Sequence, residues 1–365
     1  MTPVRATSDA GGSPSLVLQT SFLGDVVLTT PLIAELAARG PVDVVATPAG
    51  AALLANNPAI RRVVVYDKRG SARGVRGLYR TARDVADVAE GAKGAGGAPA
   101  TAYLAQGSLR SATLAILAGI PERVGFASAA GRRLYTTRGP YHAEWHHAER
   151  LWSLAAPADP RAETRAETRA ETGVLRPRLY PGDAEREAVR VLLSPTANDA
   201  RPIVALAPGS VWATKRWPFY PELAAVLAAQ HRLVIIGGGE DAELAAAIVA
   251  AAPGTVDATG KLSLLGSAAL IAQAAVLVTN DSAPQHLASA MGTPTVAIFG
   301  PTVPAFGFGP LAPGSVVAEH EAMPCRPCDK HGPMECPLVH FRCMRELTPQ
   351  RVAALVTVAI SRTIG

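Results

Sequence analysis

Short apolar runs alternate with longer amphipathic segments along the whole chain, and the two kinds of segment predict strands and helices respectively. The predicted strands are Leu16–Gln19, Val42–Ala46, Arg62–Tyr66, Thr101–Ala105, Val124–Phe126, Ile203–Ala207, Leu233–Ile236, Val256–Ala258, Ala275–Val278 and Thr295–Phe299. The predicted helices are Pro31–Ala38, Ala49–Asn56, Ser108–Ala118, Asp183–Leu193, Pro221–Gln230, Ala242–Ala251, Ser263–Ala274, His286–Met291 and Thr348–Ser361. This alternation is typical of α/β folds in which helices cover both faces of a doubly wound parallel sheet.

The alternation is interrupted by three consecutive copies of the tetrapeptide Arg-Ala-Glu-Thr, in residues 161–172. The repeat has mixed charge and no large apolar side chain, so we expect a solvated linker with no role in chemistry. A chain of 365 residues is long enough for two domains. We therefore predict one domain in residues 1–180 and a second in residues 181–365. Ligands of such folds bind beyond the carboxyl ends of the strands, which predicts a site in a cleft between the domains.

Charge is unevenly distributed between the two predicted domains. Residues 1–180 contain 22 of the 35 Lys and Arg residues and 15 of the 30 Asp and Glu residues, so their net charge is +7. Many of these cations lie in residues 61–83, where a solvated helix face is the simple interpretation. The alternative is attraction to an acidic substrate or an anionic membrane surface. Nucleic acid is not expected, because hardly any aromatic side chains for base stacking interleave the cations.

The remaining composition predicts a protein without a membrane span. No uninterrupted apolar run reaches about 18 residues, the length that a transmembrane helix needs. Residues 1–15 have no apolar signal core and are expected to form a disordered lead-in, which indicates a cytoplasmic protein. Hydrophobic residues make up 48% of the chain but aromatic residues only 5%, so we expect a core built mainly from Ala, Leu and Val.

All four cysteines lie within 19 residues, at Cys325, Cys328, Cys336 and Cys343. Their C-x2-C start is typical of a metal clip, whereas the remaining spacing matches no standard zinc motif. Disulfides are disfavoured in a reducing cytosol. We therefore favour structural, redox-inert thiols over a structural metal site in this Cys-rich loop, which we place at residues 325–343 before the final helix.

A polar loop with the sequence Ser-Phe-Leu-Gly-Asp follows the first predicted strand, in residues 21–25. The pattern G-x-G-x-x-G is absent, which argues against a nicotinamide cofactor here. Asp25 is expected at the carboxyl end of the strand, near the start of a helix. It is either a plain helix cap or a general base that accepts the proton of a substrate hydroxyl.

Two loops of the second predicted domain have the composition of a nucleotide site. Ser210, Thr214 and Lys215 follow a strand, and their hydroxyl groups and cation suit a diphosphate, although an ordinary surface loop has similar residues. Three consecutive glycines at 237–239 permit close backbone approach by a ligand. The carboxylate of Glu240 after them either binds ribose hydroxyls or simply favours a helix start.

The strand–turn–helix–strand unit at residues 275–299 is the strongest local pattern in the chain. Its turn contains Asp281 and Ser282, and the helix start after them directs free backbone N–H groups at whatever lies beyond the strand, which suits an anion. His286, inside that helix, is either a core histidine or part of the same site.

Taken together, these motifs resemble the ADP-heptose:lipopolysaccharide heptosyltransferases of glycosyltransferase family 9, heptosyltransferase II more than I. The resemblance rests on SFLGDVVLTTPLIAEL (21–36), SLRSATLAILAGIPERVGF (108–126), APGSVWATKRWPFYPELA (207–224), IIGGGEDAE (235–243), TGKLSL (259–264), TNDSAPQHLASAMGTPTVAIFGPT (279–302) and CRPCDKHGPMECPLVHFRCMRELTP (325–349). It implies the GT-B fold, with two Rossmann-like domains facing across a cleft. It also implies inverting transfer of L-glycero-D-manno-heptose from ADP-heptose to the inner core of lipopolysaccharide.

The resemblance also implies roles for individual residues. Asp25 matches the essential aspartate that is the base, and Lys215 matches the lysine that contacts the diphosphate, with Thr214 beside it. Glu240 corresponds to the ribose-binding glutamate and Leu262 to the adenine-contacting position. Asp281 and Ser282 match the loop under the phosphates and sugar. Ser210, Ala283 and His286 complete the donor site that we predict. The family commonly has Asn-Asp-Ser-Gly in this loop. This chain has Ala283 in place of the glycine, which puts in question how closely the backbone can approach the ligand there. Arg110 and Arg123 are candidates for acceptor contacts.

The partners implied are ADP-heptose and an acceptor made of lipid A with Kdo or heptose. The protein is expected to be a monomer, peripheral at the cytoplasmic face of the inner membrane. No obligatory cofactor is expected, because no Asp-x-Asp pair stands at a strand end to hold a catalytic metal, although free Mg²⁺ is compatible with the reaction. Two alternatives stay open: a GT-B transferase or epimerase that uses another nucleotide sugar, and a catalytically silent nucleotide-sugar-binding protein.

Overall fold

The structure is a computed structural model that describes residues 12–91, 99–157, 175–320 and 323–364. The chain divides into two compact units, unit 1 (Met1–Pro177) and unit 2 (Arg178–Gly365). The division falls three residues before the domain boundary predicted after residue 180. The Arg-Ala-Glu-Thr repeat and residues 1–11 of the predicted lead-in lie outside the described residues.

Unit 1 contains a parallel six-stranded sheet with the order β3-β2-β1-β4-β5-β6. Its strands are β1 (Ser15–Gln19), β2 (Val42–Ala46), β3 (Arg62–Val65), β4 (Thr101–Tyr103), β5 (Glu122–Phe126) and β6 (Thr137–Gly139). Its helices are α1 (Leu23–Leu28), α2 (Thr30–Ala37), α3 (Pro48–Leu54), α4 (Gly74–Gly91), α5 (Leu109–Leu117) and α6 (His147–Ser153). The strand order reverses between β1 and β4, which makes the carboxyl ends of these two strands the switch point where such sheets bind ligands.

Unit 2 contains a second parallel six-stranded sheet, with the order β12-β11-β10-β7-β8-β9. Its strands are β7 (Ile203–Ala207), β8 (Arg232–Ile235), β9 (Val256–Asp257), β10 (Val276–Asn280), β11 (Thr295–Phe299) and β12 (Val316–Glu319). Its helices are α7 (Asp183–Leu193), α8 (Tyr220–Leu227), α9 (Ala242–Ala251), α10 (Leu264–Ile271), α11 (Ala283–Met291), α12 (Arg342–Arg345) and α13 (Pro349–Ile364). The switch point of this sheet lies between β7 and β10.

Burial explains why the apolar runs predicted strands so well. Leu16 and Leu18 of β1, and Val204 and Leu206 of β7, have no exposed surface. Strands that are covered by helices on both faces are apolar at every position, which is the pattern that the sequence shows. The predicted α/β fold is therefore confirmed in each unit.

Several elements were not predicted, and each has a weak sequence signal. The strand β6 has only three residues, two of them exposed. The helix α4 contains three glycines and covers part of the arginine-rich stretch, so the sequence indicates a solvated segment. The helix α1 lies where the sequence predicted a loop, and it places Asp25 in a helical first turn. None of the described helices has the length and apolarity needed to cross a membrane.

Candidate functional site

In unit 1, the carboxylate of Asp25 lies just past the carboxyl end of β1 and is held in a defined orientation. The hydroxyl group of Ser21 donates a hydrogen bond to Asp25 Oδ2 at 2.6 Å. The backbone N–H of Ser21 in turn donates to the side-chain oxygen of Gln19. The second carboxylate oxygen, Oδ1, lies 3.6 Å from Nε2 of His147, and the Asp25 side chain keeps 19% of its surface exposed. The carboxylate is thus fixed on one side and reachable from solvent, as a general base requires.

His147 was missed in the sequence analysis. It is the first residue of α6, whose N-cap residue is His146. The backbone N–H of His146 donates to the Glu149 carboxylate at 2.9 Å, and the His146 ring accepts from the N–H of Ala148 at 3.2 Å. This capping box uses a histidine in place of the usual serine or threonine. A search for His-x-x-Glu before an amphipathic segment would have located this helix start, and with it His147.

Three cations surround the same strand end in unit 1. The ammonium group of Lys68 donates to the backbone carbonyl of Thr20 at 2.5 Å. Burial lowers the pKa of Lys68, and the neighbouring charges of Arg69 and Arg110 lower it further. Arg110 is exposed near the start of α5. These three side chains therefore form a positively charged rim near the start of α1, the helix that carries Asp25.

Arg123, the other arginine named for acceptor contacts, is committed to the fold of unit 1. Its guanidinium donates to the carbonyl oxygens of Leu134, Ile120 and Pro121 at 2.8, 2.7 and 2.9 Å. A guanidinium that already makes three such hydrogen bonds ties the loop before β5 to the turn after it. This geometry supports a structural role for Arg123, and the positive rim lies around Lys68, Arg69 and Arg110.

In unit 2, the structure joins two of the predicted site residues directly. The ammonium group of Lys215 lies 2.6 Å from Asp281 Oδ2, and only 11% and 10% of the two side chains are exposed. The hydroxyl of Thr302 donates to the same oxygen at 2.7 Å, and the side-chain amide of Gln285 donates to Oδ1 at 2.9 Å. Asp281 therefore holds Lys215 in place, and its carboxylate is already satisfied by three donors. Thr302 and Gln285 were not predicted.

The loop after β7 is tied to β10 through an asparagine that precedes Asp281. The side-chain amide of Asn280 donates to the carbonyl of Pro208 at 2.8 Å and its side-chain oxygen accepts from the N–H of Trp217 at 3.1 Å. Because both bonds are buried, they fix the two ends of the segment that contains Lys215.

The hydroxyl side chains predicted for the diphosphate have different environments. Thr214 is buried, and its hydroxyl donates to the carbonyl of Pro333. Ser210 is partly exposed, and Ser282 lies 3.5 Å from the carbonyl of Gly209, which is a long contact. Ser210 and Ser282 are thus at the surface of the site. Thr214 is buried and stabilises the loop through its hydrogen bond to Pro333.

The glycines before Glu240 make room for a neighbouring side chain. The Asp241 carboxylate accepts the N–H of Gly238 at 3.0 Å. A Cβ atom at Gly209 or Gly237 would lie 2.3 or 2.5 Å from this carboxylate. Burial raises the pKa of Asp241. Close packing against Asp241 therefore accounts for Gly209 and Gly237 without any ligand.

Glu240 and Leu262 belong to two loops that contact each other. The N–H of Gly260 donates to the carbonyl of Gly237 at 3.0 Å, so the loop after β9 packs on the loop after β8. Glu240 is exposed and Leu262 is half-buried. The predicted ribose and adenine residues thus lie on adjoining loops at one edge of the sheet.

The remaining predicted residues lie at the start of α11. Ala283 is its first residue, and a helical start does not require glycine. Ser282 is the N-cap residue and makes no side-chain capping bond. His286 is buried one turn later, with its ring 6.3 Å from the ring of Phe308 in an edge-on arrangement.

Comparison with known proteins decides the family. The family model described as Glycosyltransferase family 9 (heptosyltransferase) matches residues 100–337, which is more than half of the chain. The chain belongs to glycosyltransferase family 9. It is therefore a glycosyltransferase, and the expected family resemblance is confirmed.

Individual relatives of this family 9 chain agree in length and fold. It is 29% identical to lipopolysaccharide heptosyltransferase 1 of Pseudomonas aeruginosa, over 93% of this chain and 95% of that protein. A family 9 glycosyltransferase of Veillonella parvula superposes with a TM-score of 0.78 at 22% identity, over 96% of this chain and 97% of that one. ADP-heptose lps heptosyltransferase II of E. coli superposes with a TM-score of 0.73 at 23% identity, over 96% and 100%. These likenesses confirm the GT-B fold with two Rossmann-like units.

The Cys-rich loop of the family 9 chain packs against the loop that holds Lys215. The N–H of Cys328 donates to the carbonyl of Pro301 at 2.8 Å. Gly332 adopts a φ of +83°, and a Cβ atom there would lie 3.4 Å from the Lys215 side chain. The ring of His331 is stacked over that of Trp212, with 6.0 Å between centroids. The Cys-rich loop therefore packs against both the Lys215 side chain and the loop that carries it.

The four thiols of this loop are free. Burial, together with the neighbouring thiols, raises the pKa of Cys343 to about 11, so it stays protonated at neutral pH. Burial also raises the pKa of Cys328. Among the described residues, no three His, Cys, Asp or Glu side chains are arranged to hold a metal ion.

Proposed function

We propose that the protein transfers L-glycero-D-manno-heptose from ADP-heptose to the inner core of lipopolysaccharide, with inversion at the anomeric carbon. The observation that carries this proposal is that each unit presents one fixed charged group at the switch point of its sheet. In unit 1 that group is Asp25, held by Ser21. In unit 2 it is Lys215, held by Asp281. The names of the relatives, lipopolysaccharide heptosyltransferase 1 and ADP-heptose lps heptosyltransferase II, supply the donor and the acceptor.

The proposed reaction is a single displacement. Asp25 accepts the proton of the acceptor hydroxyl as its oxygen attacks the anomeric carbon of heptose. The bond from that carbon to the phosphate oxygen breaks, and ADP leaves with the bonding electrons. A general base in this position contributes about 10²–10⁴-fold in rate.

In this proposal the leaving diphosphate is stabilised by unit 2. Lys215, Ser210 and the backbone N–H groups at the start of α11, after Asp281, are the donors. Because Asp281 and Asn280 fix this region before the substrate binds, little reorganisation is needed as charge develops. Each preorganised donor of this kind is worth about 3 kcal/mol in the transition state. The cation thus performs the charge neutralisation for which other transferases use a metal, and we propose that no cofactor is obligatory.

The nucleoside of the donor is proposed to bind along the edge formed by the loops after β8 and β9. The exposed carboxylate of Glu240 suits ribose hydroxyls, and the half-buried Leu262 suits one face of adenine. Their loops are joined by the hydrogen bond from Gly260 to Gly237, which fixes the spacing between the two contacts.

We propose that unit 1 binds the acceptor. The rim of Lys68, Arg69 and Arg110 suits the carboxylates and phosphates of a Kdo- or heptose-bearing lipid A. The exposed side of α4 adds further cations and apolar side chains. They are Val75, Arg76, Tyr79, Arg80 and Arg83 of α4 and Arg73 just before it, and the helix also exposes the carboxylates of Asp84 and Asp87. This composition favours peripheral contact with an anionic membrane, at the cytoplasmic face where such an acceptor would be presented.

The test is incubation of the purified protein with ADP-heptose and acceptors that end in Kdo or in heptose, followed by mass spectrometry. We expect one heptose to be added to one class of acceptor and no product from UDP or GDP sugars. Calorimetric titration with ADP, UDP and GDP reports donor recognition separately. Binding of ADP-heptose without transfer to any acceptor would contradict the proposal and indicate a catalytically silent binding protein. Tighter binding of UDP or GDP would indicate another nucleotide sugar.

A further inference from the structure

The proposed base has a partner from a distant part of unit 1. His147, at the start of α6, directs Nε2 towards Asp25 Oδ1 across 3.6 Å, while Ser21 occupies Oδ2. Only 14% of the His147 side chain and 19% of the Asp25 side chain are exposed. An imidazole beside a carboxylate that is largely shielded from water interacts with it more strongly than it would in bulk solvent.

We propose that His147 is a positioning residue for Asp25 in the glycosyl transfer. The hydrogen bond from Ser21 holds one oxygen of the carboxylate. A second polar contact on the other oxygen fixes the plane of the carboxylate. One lone pair of Oδ1 then stays directed at the acceptor hydroxyl. This inference rests on the proposed function, since it assigns Asp25 as the base.

The distance of 3.6 Å is longer than a hydrogen bond, so the contact is an electrostatic one in the absence of substrate. Catalytic hydrogen bonds often tighten when substrate is bound, and closure by about half an ångström would form one here. His147 carries the opposite charge to Asp25 when it is protonated. In that state it favours the ionised carboxylate, which is the form that accepts a proton.

The other charged side chains around α6 have partners of their own. Glu149 accepts from the backbone of His146, and Glu35 accepts from Arg39 and from Trp152. The guanidinium of Arg150 donates to the His142 carbonyl and to the Tyr141 hydroxyl. His142 itself pairs with Glu144 at 3.3 Å. The contact between Asp25 and His147 involves none of these side chains.

The kinetic test compares three full-length variants with the natural chain. His147→Leu removes the polar contact, His147→Gln keeps an N–H donor near the position of Nε2, and His142→Gln is the matched control. We expect kcat to fall about 10- to 100-fold in His147→Leu, less than the full contribution of a general base. The KM for ADP-heptose should stay within about twofold. His147→Gln should recover most of the loss, and His142→Gln should match the natural chain.

Other kinetic results would overturn the proposal. Unchanged kcat in His147→Leu would show that the contact between His147 and Asp25 does not contribute to catalysis. An equal loss in His147→Leu and His147→Gln, with raised KM, would indicate that His147 only supports the helix.

An NMR titration separates this inference from the proposed function, because it needs no substrate. The His147 imidazole signal, assigned by its loss in His147→Gln, is followed against pH in the natural chain and in Asp25→Asn. We expect the titration midpoint to drop when the carboxylate is removed, since the opposite charge favours the imidazolium. An unchanged midpoint would overturn the pairing even if heptose is transferred. A shifted midpoint in a protein that transfers no heptose would contradict the proposed function alone.

Discussion

Each unit has an aspartate beyond a strand at the switch point of its sheet, Asp25 after β1 and Asp281 after β10, and the surroundings of the two side chains differ. Asp281 in unit 2 accepts from Lys215, Thr302 and Gln285 and is largely buried. Asp25 in unit 1 accepts from Ser21, faces His147, and keeps about twice the exposed fraction of Asp281. A carboxylate with three donors is a fixed negative charge that orients a cation. A carboxylate with an accessible oxygen is able to receive a proton.

This difference shows how one sheet architecture supports two tasks. The strand end sets where the carboxylate lies, and the number of donors around it sets what it does. In unit 2 the loop after β11 supplies Thr302, and α11 supplies Gln285, so the acid becomes part of the scaffold. In unit 1, Ser21 of the loop after β1 and His147 of α6 contact the acid, and its side chain keeps the larger exposed fraction.

The largest expected effect is at the base. Asp25→Asn keeps the shape of the side chain but cannot accept the proton, so turnover should fall about 10²–10⁴-fold. Affinity for ADP-heptose should stay within about twofold, because the donor is proposed to bind unit 2. Steady-state kinetics measures the turnover and calorimetry measures the affinity for ADP-heptose, both on one preparation. Turnover near that of the natural chain would exclude Asp25 as the base.

The second effect is on donor binding. Lys215→Ala should weaken ADP binding about 100-fold, because it removes the cation for the diphosphate. It also leaves the Asp281 carboxylate buried without its charged partner, which should lower the free energy of unfolding by about 3 kcal/mol. Calorimetry and chemical denaturation measure the two losses. Unchanged ADP affinity in a folded variant would exclude the diphosphate role.

A smaller effect is expected where a supporting donor is removed. Thr302→Val deletes one hydrogen bond to Asp281, and a bond to a charged group is worth about 1.5–3 kcal/mol. We expect ADP affinity to fall about tenfold with turnover at saturation nearly unchanged. Thr293→Val is the matched control, because its hydroxyl donates to the carbonyl of Ile271 and is buried. An equal loss of ADP affinity in both variants would show a general stability effect.

The smallest expected effect is that of a substitution in the Cys-rich loop. Gly332→Ala strains a backbone with a φ of +83° and crowds both Pro301 and Lys215, at 3.2 and 3.4 Å. Gly254→Ala adds a side chain at a φ of +92° in open space. Both should cost about 1 kcal/mol in stability. ADP affinity should fall several-fold in Gly332→Ala alone, and an unchanged affinity would show that the loop does not support Lys215.

Much of the fold is predictable from the sequence because the buried strands carry a strong signal. The ranges Ile203–Ala207, Thr295–Phe299, Asp183–Leu193 and Ala242–Ala251 agree with the structure to the residue. The short strands β6 and β12 were missed. They have three and four residues and lie at the edges of their sheets, where one side is open and the apolar pattern is weak.

The candidate site is less predictable than the fold. The rule that parallel strands end at one edge brings Lys215 and Asp281 to the same region, but it does not show that they form an ion pair. That pairing depends on side-chain directions at Thr302 and Gln285, which are distant in sequence from Lys215. His147 was missed for the same reason, since no local motif links it to Asp25.

A structure of the protein with a non-transferable ADP-heptose analogue and a Kdo- or heptose-terminated acceptor would test the proposed reaction most directly. We expect the diphosphate to bind against Ser210 and Lys215 and the acceptor hydroxyl to lie within hydrogen-bond distance of Asp25 Oδ1. We also expect this hydroxyl to lie in line with the bond from the sugar to the phosphate. A complex in which Asp25 contacts neither the acceptor nor the heptose would contradict the role of Asp25 as the base.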